Sequence, residues 1–166
     1  SMSNNIQLFS MNRCTAVEVL DETTLRSTCR LQDTFTTASV EILVRLPNLD
    51  IIDARGQFRH EWYEVPDVAG ILQKVIGTRV GAGMLKIIKG LVGGGEELSQ
   101  LTYMVEECCH GVILSLTKDI LQKAPVDDDG KIEFFANMVK DNIRLYNRCA
   151  AFAPGTRLTQ NIEPPA

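Results

Sequence analysis

The sequence has no long apolar run, and its 17 Lys and Arg residues are outnumbered by 21 Asp and Glu residues. A membrane-spanning helix needs about 20 predominantly apolar residues, but the best run here, Val112 to Leu116, is already interrupted by Ser115. We therefore expect no membrane span. The formal net charge of −4 also provides no basic face for a phosphate backbone. The sequence argues against nucleic acid as a partner.

Cysteines do not form a recognisable motif, because the five present are scattered and include no Cys-x-x-Cys spacing. An odd, dispersed set of this kind does not predict a disulfide framework. The N-terminus also lacks the basic start and long apolar segment of a secretory signal, and Ser1 before Met2 is typical of a tag remnant. We therefore expect a reduced, cytoplasmic protein.

The length of 166 residues, 45% of them hydrophobic, is sufficient for one domain with one core. We predict a flexible N-terminus over residues 1–13, a single domain over residues 14–153 and a loose, Pro-containing tail over residues 154–166.

The first half of the chain shows a hydrophobic period close to two. In the segments Leu25 to Leu31 and Val40 to Leu46, apolar or small residues alternate with polar ones, which is typical of strands with one solvated face. Turn-forming pairs separate such segments at roughly ten-residue spacing. These pairs are Asp21-Glu22, Asp33-Thr34, Pro47-Asn48 and Arg55-Gly56. The pattern predicts an antiparallel meander of about four strands over residues 14–63.

From Pro66 onward the period becomes helical. A first helix is predicted to begin at Pro66 and Asp67, a second to cover Gly83 to Leu91, a long third about residues 97–123, and a last Lys131 to Ala150. Strands followed by three to four helices define an α+β fold.

The long helix carries an unusually wide apolar stripe, which predicts burial against the sheet or against a second subunit. Its members are Leu98, Leu101, Met104, Val105, Cys108, Cys109, Val112, Ile113, Leu116 and Ile120.

Glu107 and His110 are the candidate metal ligands. They are three residues apart on the long helix, so that both side chains can reach one ion. The simpler alternative is an ion pair on the flank of a helix whose cysteines are buried.

Lys86 and Lys89 lie within a glycine-rich segment and are candidates for binding the anionic groups of acyl-CoA or a nucleotide. The segment lacks a complete dinucleotide or P-loop motif, and a solvated basic rim explains the same residues. No particular cofactor is indicated.

His60 and Glu64 end the strand region beside Trp62 and Tyr63, a mixture of apolar and polar groups that is typical of ligand pockets. A packed strand end is the alternative. Gln100 and Tyr103, near the start of the long helix, complete the candidate ligand-binding residues.

The segment from Asp33 to Leu116 resembles an uncharacterised bacterial family of unknown function. The matching features are a Pro that opens a helix, a Gly-x-x-x-Gly-x-Gly turn, a Gly-Gly stretch and a four-residue motif ending in Leu. These correspond to Pro66–Val68, Gly77–Gly83, Gly93–Glu96 and Leu98–Leu101. The Cys and His of the family motif, Cys-Thr-His-Leu, are replaced here by Leu98 and Gln100, and the Cys after Pro is replaced by Val68. The resemblance implies a bacterial origin and brings no known activity.

Three functions remain open. The favoured one is a non-catalytic binding or accessory module that forms a homodimer through the stripe of the long helix, with a small molecule as a further expected partner. The alternatives are a small-ligand or metal-dependent enzyme that uses Glu107 and His110, and an acyl-CoA or nucleotide binder. The sequence does not decide whether the chain is an enzyme, because at most a pair of titratable groups converges.

Overall fold

The computed structural model describes residues 6–118 and 122–166. The first half is one four-stranded sheet in which each strand pairs antiparallel with the next. In chain order and sheet order, the strands are β1 (Met11–Asp21), β2 (Thr24–Asp33), β3 (Thr36–Arg45) and β4 (Asp50–His60). The predicted four-stranded meander is confirmed, and its first strand begins inside the segment that was predicted to be flexible.

The helices all follow the sheet in the chain. Those that the structure describes are α1 (Val68–Gln73), α2 (Met84–Val92), α3 (Ser99–Ser115) and α4 (Asp128–Asp141). This segregated order confirms the α+β class. In the part of the chain that the structure describes, no helix is both long and apolar enough to cross a membrane.

The two faces of the sheet differ strongly. In β2 the odd-numbered residues are buried beneath the helices, and the even-numbered ones point to the opposite, open face. In β3 the even-numbered residues are buried, including Val40, Ile42 and Val44, each with 0% of its surface exposed. We call these the inner face and the outer face of the sheet.

The Arg55-Gly56 pair does not form the predicted turn. Gly56 lies in the middle of β4, where it pairs with Val40 of β3. The absence of a side chain at Gly56 lets β3 and α1 pack closely around it. A Cβ atom at this position would lie 2.5 Å from the Ser39 carbonyl oxygen and 2.7 Å from Leu72 Cδ1 of α1. Gly56 therefore marks the point where α1 packs closely on the sheet.

Helix α3 ends at Ser115, whereas the sequence predicted a helix to about residue 123. Residues 119–121 of that prediction lie outside the described part of the chain. The hydroxyl of Ser115 donates to the Val112 carbonyl at 2.8 Å, and the hydroxyl of Thr117 donates to the Leu114 carbonyl at 2.7 Å. These bonds satisfy carbonyl groups of the last turn.

Helix α4 spans Asp128–Asp141 rather than Lys131 to Ala150. It begins earlier because Asp127 caps it, with Oδ2 accepting a hydrogen bond from Gly130 N at 2.7 Å. It ends where Asn142 leaves the helical conformation, with φ −130° and ψ 70°. The chain then continues through two 3-10 turns, Ile143–Leu145 and Ala150–Phe152.

The segment after Pro154 also makes contacts with the rest of the domain. The side chain of Thr159 is buried, and Ile162 packs against the hydrophobic core. Its backbone runs through a series of turns.

Helix α3 lies across the inner face of β1, β2 and β3 and also packs against α2. Its buried residues are Leu101, Thr102, Met104, Val105, Cys108, Cys109, Val112 and Ile113. The predicted stripe is therefore buried against the sheet of its own chain, one of the two predicted alternatives. Leu116 is 38% exposed, and Ile120 lies outside the described residues.

Gly111 allows α3 to approach the sheet edge. A Cβ atom there would lie 3.0 Å from Thr15 Cγ2 and 3.1 Å from Val17 Cγ2, both on β1. Ser27 of β2 joins the same contact, because its buried hydroxyl donates to the Cys108 carbonyl at 2.7 Å. Sheet and helix are thus linked by a polar bond within an apolar core.

Replacing Ser27 by Ala is expected to lower the free energy of unfolding by about 1 kcal/mol, the net value of a typical buried hydrogen bond. Urea unfolding followed by circular dichroism measures the change. Ser39→Ala, on the outer face of β3, is the matched control and should stay within about 0.5 kcal/mol of the parent, as surface substitutions do. Equal losses in the two variants would show that the Ser27–Cys108 bond contributes no stability.

Candidate functional site

A cleft opens between the inner face of β1 and β2 and the first turns of α3. It has a volume of about 220 Å³ and combines apolar and polar walls. The lining residues are Arg13, Cys29, Leu31, Ser99, Gln100, Tyr103 and Met104. We call it the inner cleft. It contains both Gln100 and Tyr103, which the sequence analysis named as candidate ligand-binding residues.

The floor of the inner cleft is apolar and rigid. Cys29 and Leu31 come from β2 and Met104 from α3, and all three are buried in the hydrophobic core. Alternation along β2 places Cys29 and Leu31 on the same face. The floor is thus fixed by sheet and helix packing, and a ligand's apolar part would meet a preformed surface.

One rim of the cleft carries a cation. The Arg13 guanidinium carbon lies 5.0 Å from the centre of the Tyr103 ring, a cation–π contact that connects β1 to α3. Within the described residues no carboxylate oxygen lies within 4 Å of the Arg13 guanidinium nitrogens. The charge is therefore held in place by an aromatic ring and is not neutralised by an acidic neighbour.

Gln100, one of the lining residues, carries an unsatisfied polar atom. Its Oε1 atom is shielded from solvent and has no hydrogen-bond partner within the described part of the chain. An unsatisfied buried polar atom costs about 1–3 kcal/mol. A ligand donor in the cleft would reach this atom only after the side chain rotates toward the cleft.

The titratable side chains in the lining, besides Arg13, are the Cys29 thiol and the Tyr103 phenol. Burial, the largest cause, raises the pKa of the Cys29 thiol above its ordinary value, so it stays neutral and a weak nucleophile. The Ser99 hydroxyl donates to the Glu96 carbonyl at 2.8 Å. No imidazole or carboxylate is among the residues that line the inner cleft.

His60 and Glu64 belong to a different place, at the end of β4. The His60 ring stacks on Tyr63 with 4.0 Å between ring centres, and its Nδ1 accepts a hydrogen bond from the Trp62 backbone N–H. Glu64 is exposed. This aromatic cluster lies at the end of the strand, with Trp62 73% exposed, and it is separate from the cleft lining.

Glu107 and His110 lie side by side on α3, with 3.4 Å between Glu107 Oε1 and His110 Nδ1. The second ring nitrogen, Nε2, lies 3.5 Å from the Arg148 guanidinium. A metal ion at Nε2 would meet this positive charge directly. Among the described residues, no group of three or more His, Cys, Asp or Glu side chains is arranged to hold a metal ion.

Lys86 and Lys89 are exposed on the outer side of α2, whose buried face consists of Met84, Ile88 and Val92. The helical period of the segment predicts this separation of buried apolar residues from exposed lysines. Neither lysine lines the inner cleft, so the structure does not bring them together with Gln100 and Tyr103.

Comparison with known proteins gives no match: no family model fits the chain, and neither a curated protein nor a solved structure is significantly similar to it. The resemblance to the bacterial family of unknown function therefore remains a prediction.

The sequence analysis missed Arg13, Ser99 and the floor of the inner cleft. Arg13 was assigned to a flexible terminus, although Met11 to Val19 already alternates between apolar and polar residues at several positions. That alternation could have extended the first strand. No sequence signal could have placed Arg13 over the Tyr103 ring, because the two residues are ninety positions apart.

Proposed function

We propose that the protein is a non-catalytic binding module that takes a small monocarboxylate in the inner cleft. The observation that carries this proposal is the combination of an apolar floor with one cation, Arg13, that has no acidic neighbour among the described residues. A carboxylate would accept paired hydrogen bonds from the guanidinium. The hydrocarbon part of the same ligand would cover Leu31 and Met104.

The cleft volume limits the size of this ligand. At about 220 Å³, the cleft is smaller than the roughly 300–1,000 Å³ typical of pockets for drug-sized molecules. A short aliphatic or single-ring acid fits this space. A ligand that also carries an N–H donor would satisfy Gln100 Oε1, so amino-substituted acids should bind more tightly than the parent acids.

The lining supports binding rather than catalysis. General acid–base catalysis requires a titratable group within hydrogen-bond reach of the reacting atom. The lining has no imidazole or carboxylate, and we assign its one phenol, Tyr103, to holding the Arg13 guanidinium through its ring. The buried thiol of Cys29 is held in its neutral form. Recognition is the chemistry that this set of side chains performs best.

Matched pairs of ligands test the proposal. Short carboxylic acids and their primary amides are titrated into the protein, and binding is followed by NMR chemical-shift changes and calorimetry. Each acid is expected to bind at least tenfold more tightly than its amide, because only the acid carries the charge that Arg13 recognises. Shift changes should be concentrated on β1, β2 and the start of α3.

Arg13→Gln is expected to weaken acid binding at least tenfold and to remove the preference over the amide. Arg30→Gln is the matched control, since Arg30 belongs to the outer face of the neighbouring strand, and it should leave binding unchanged. Circular dichroism confirms that both variants fold. Absence of binding across the panel, or equal losses in the two variants, would contradict the proposal.

A further inference from the structure

We propose that the free edge of β1 pairs antiparallel with β1 of a second copy of this chain, forming one continuous sheet across a two-fold axis. This interface is independent of the ligand proposed for the inner cleft. In the described part of the chain, β1 pairs with β2 along one edge and has no strand neighbour along the other.

The hydrogen-bond alternation of the sheet shows which β1 groups are free. The Thr34 N–H donates to the Ser10 carbonyl at 3.0 Å, which makes this a hydrogen-bonded pair. In an antiparallel ladder such pairs recur at every second residue. Even-numbered residues of β1 therefore bond to β2. Odd-numbered residues, from Met11 to Val19, direct their N–H and C=O groups away from the sheet, where a second strand can bind them.

The same segment exposes an unusual amount of apolar surface. Exposed fractions are 76% for Ile6, 86% for Leu8, 52% for Phe9, 47% for Met11 and 75% for Val19. Exposed apolar side chains beside a long unpaired edge are features of an interaction site. A partner strand would therefore need apolar side chains opposite these positions.

One register makes β1 complementary to itself. With Cys14 opposite Cys14 of the second copy, Met11 faces Val17 and Phe9 faces Val19, in each case across the axis. Arg13 then faces Thr15, so that no like charges are opposed. Moving the register by two residues in one direction would place Arg13 opposite its own copy, which is destabilising. A two-fold axis makes each of these contacts occur twice.

The axis position also provides a chemical reporter. Cys14 is an even-numbered residue, so that it forms a non-hydrogen-bonded pair with its copy, and such pairs have Cα atoms about 4.5 Å apart. This separation lies within the roughly 4.4–6.8 Å range in which disulfides form. Cys14 is exposed, and Cys149 is the other exposed cysteine among the described residues.

The experiment measures the oligomeric state of the full chain by light scattering and sedimentation. A dimer is expected, and Val19→Lys should weaken it at least tenfold, because the substitution puts two charges into the strand interface. Val126→Lys is the matched control at a position that is 90% exposed, and it should remain dimeric. A monomer at all concentrations, or a dimer unaffected by Val19→Lys, would overturn the proposal.

Oxidation tests the register separately. Diamide, a diazene oxidant that takes up the two thiol hydrogens as the disulfide forms, is expected to link the two copies through Cys14. The covalent dimer should be lost in Cys14→Ser and retained in Cys149→Ser. A dimer linked only through Cys149, or a dimer that forms no disulfide, would overturn the register. Monomeric protein that still binds carboxylates would overturn the interface but not the ligand proposal.

Discussion

Raising the pH above 9 is expected to destabilise the protein steeply, because buried thiols, chiefly those of Cys108 and Cys109, ionise only when the chain unfolds. Cys108 and Cys109 lie on the core side of α3 with 0% of their surface exposed. Burial, the largest cause for each, raises the pKa of Cys109 to about 12 and that of Cys108 further above the ordinary value of 9.0. Below pH 9 both thiols are protonated whether the chain is folded or unfolded.

The direction of the effect follows from proton binding. Between pH 9 and about 12 the unfolded chain loses these protons and the folded chain keeps them, so the unfolded state is favoured as pH rises. Each thiol then contributes a loss of about 1.4 kcal/mol per pH unit. Two thiols would remove about 4 kcal/mol by pH 10.5, a large part of the roughly 5–15 kcal/mol that stabilises a typical domain. Urea unfolding at half-unit pH steps measures this slope.

The control separates these thiols from other groups that titrate at high pH. The double variant with Cys108→Ala and Cys109→Ala should show a much flatter decline above pH 9, whatever its stability at neutral pH. The double variant with Cys14→Ala and Cys149→Ala, which removes the exposed cysteines, should keep the slope of the parent protein. An unchanged slope in the first variant would show that the buried thiols do not govern alkaline stability.

Gly56→Ala is expected to lower the free energy of unfolding by about 3 kcal/mol, the upper end of the usual cost of overpacking. The added Cβ atom would lie 2.5 Å from the Ser39 carbonyl oxygen, a backbone atom that cannot turn away as a side chain does. Either β4 must separate from β3 or α1 must move from the sheet. Thermal and urea unfolding measure the loss.

Gly90→Ala is the matched control, and it should have the opposite sign. Gly90 lies within α2, and a Cβ atom there would meet no other atom within 4 Å. Alanine in a helix interior is about 0.5–1 kcal/mol more favourable than glycine. A parent-like Gly56→Ala variant would show that the contact between α1 and β4 is looser than the structure indicates.

The sequence predicted the sheet well because strand signals are local. Alternation over Leu25 to Leu31 places Cys29 on the buried face, and the turn residues Asp33 and Pro47 lie where the chain reverses. Arg55-Gly56 was the exception. A glycine that permits a turn and a glycine that permits close packing are identical in sequence, and only the position of Leu72 in space distinguishes them.

The candidate site was predicted only in part, for a related reason. Gln100 and Tyr103 were candidate ligand-binding residues in the sequence, and both line the inner cleft. Arg13 was not a candidate, because its role depends on β1 passing close to the start of α3. Gly111, which permits α3 to lie close to β1 near Thr15 and Val17, carries no signal of its own in the sequence.

Composition and hydrophobic period by themselves determined the class of this protein, an α+β domain of strands followed by helices, because each element's buried face is recorded in its own residues. The tertiary structure alone decided that the stripe of α3 is covered by the chain's own sheet, leaving the β1 edge open, and that Arg13, Gln100 and Tyr103 share one cleft. These outcomes depend on contacts between residues far apart in the chain, and the free energy of such contacts is not encoded in any local pattern.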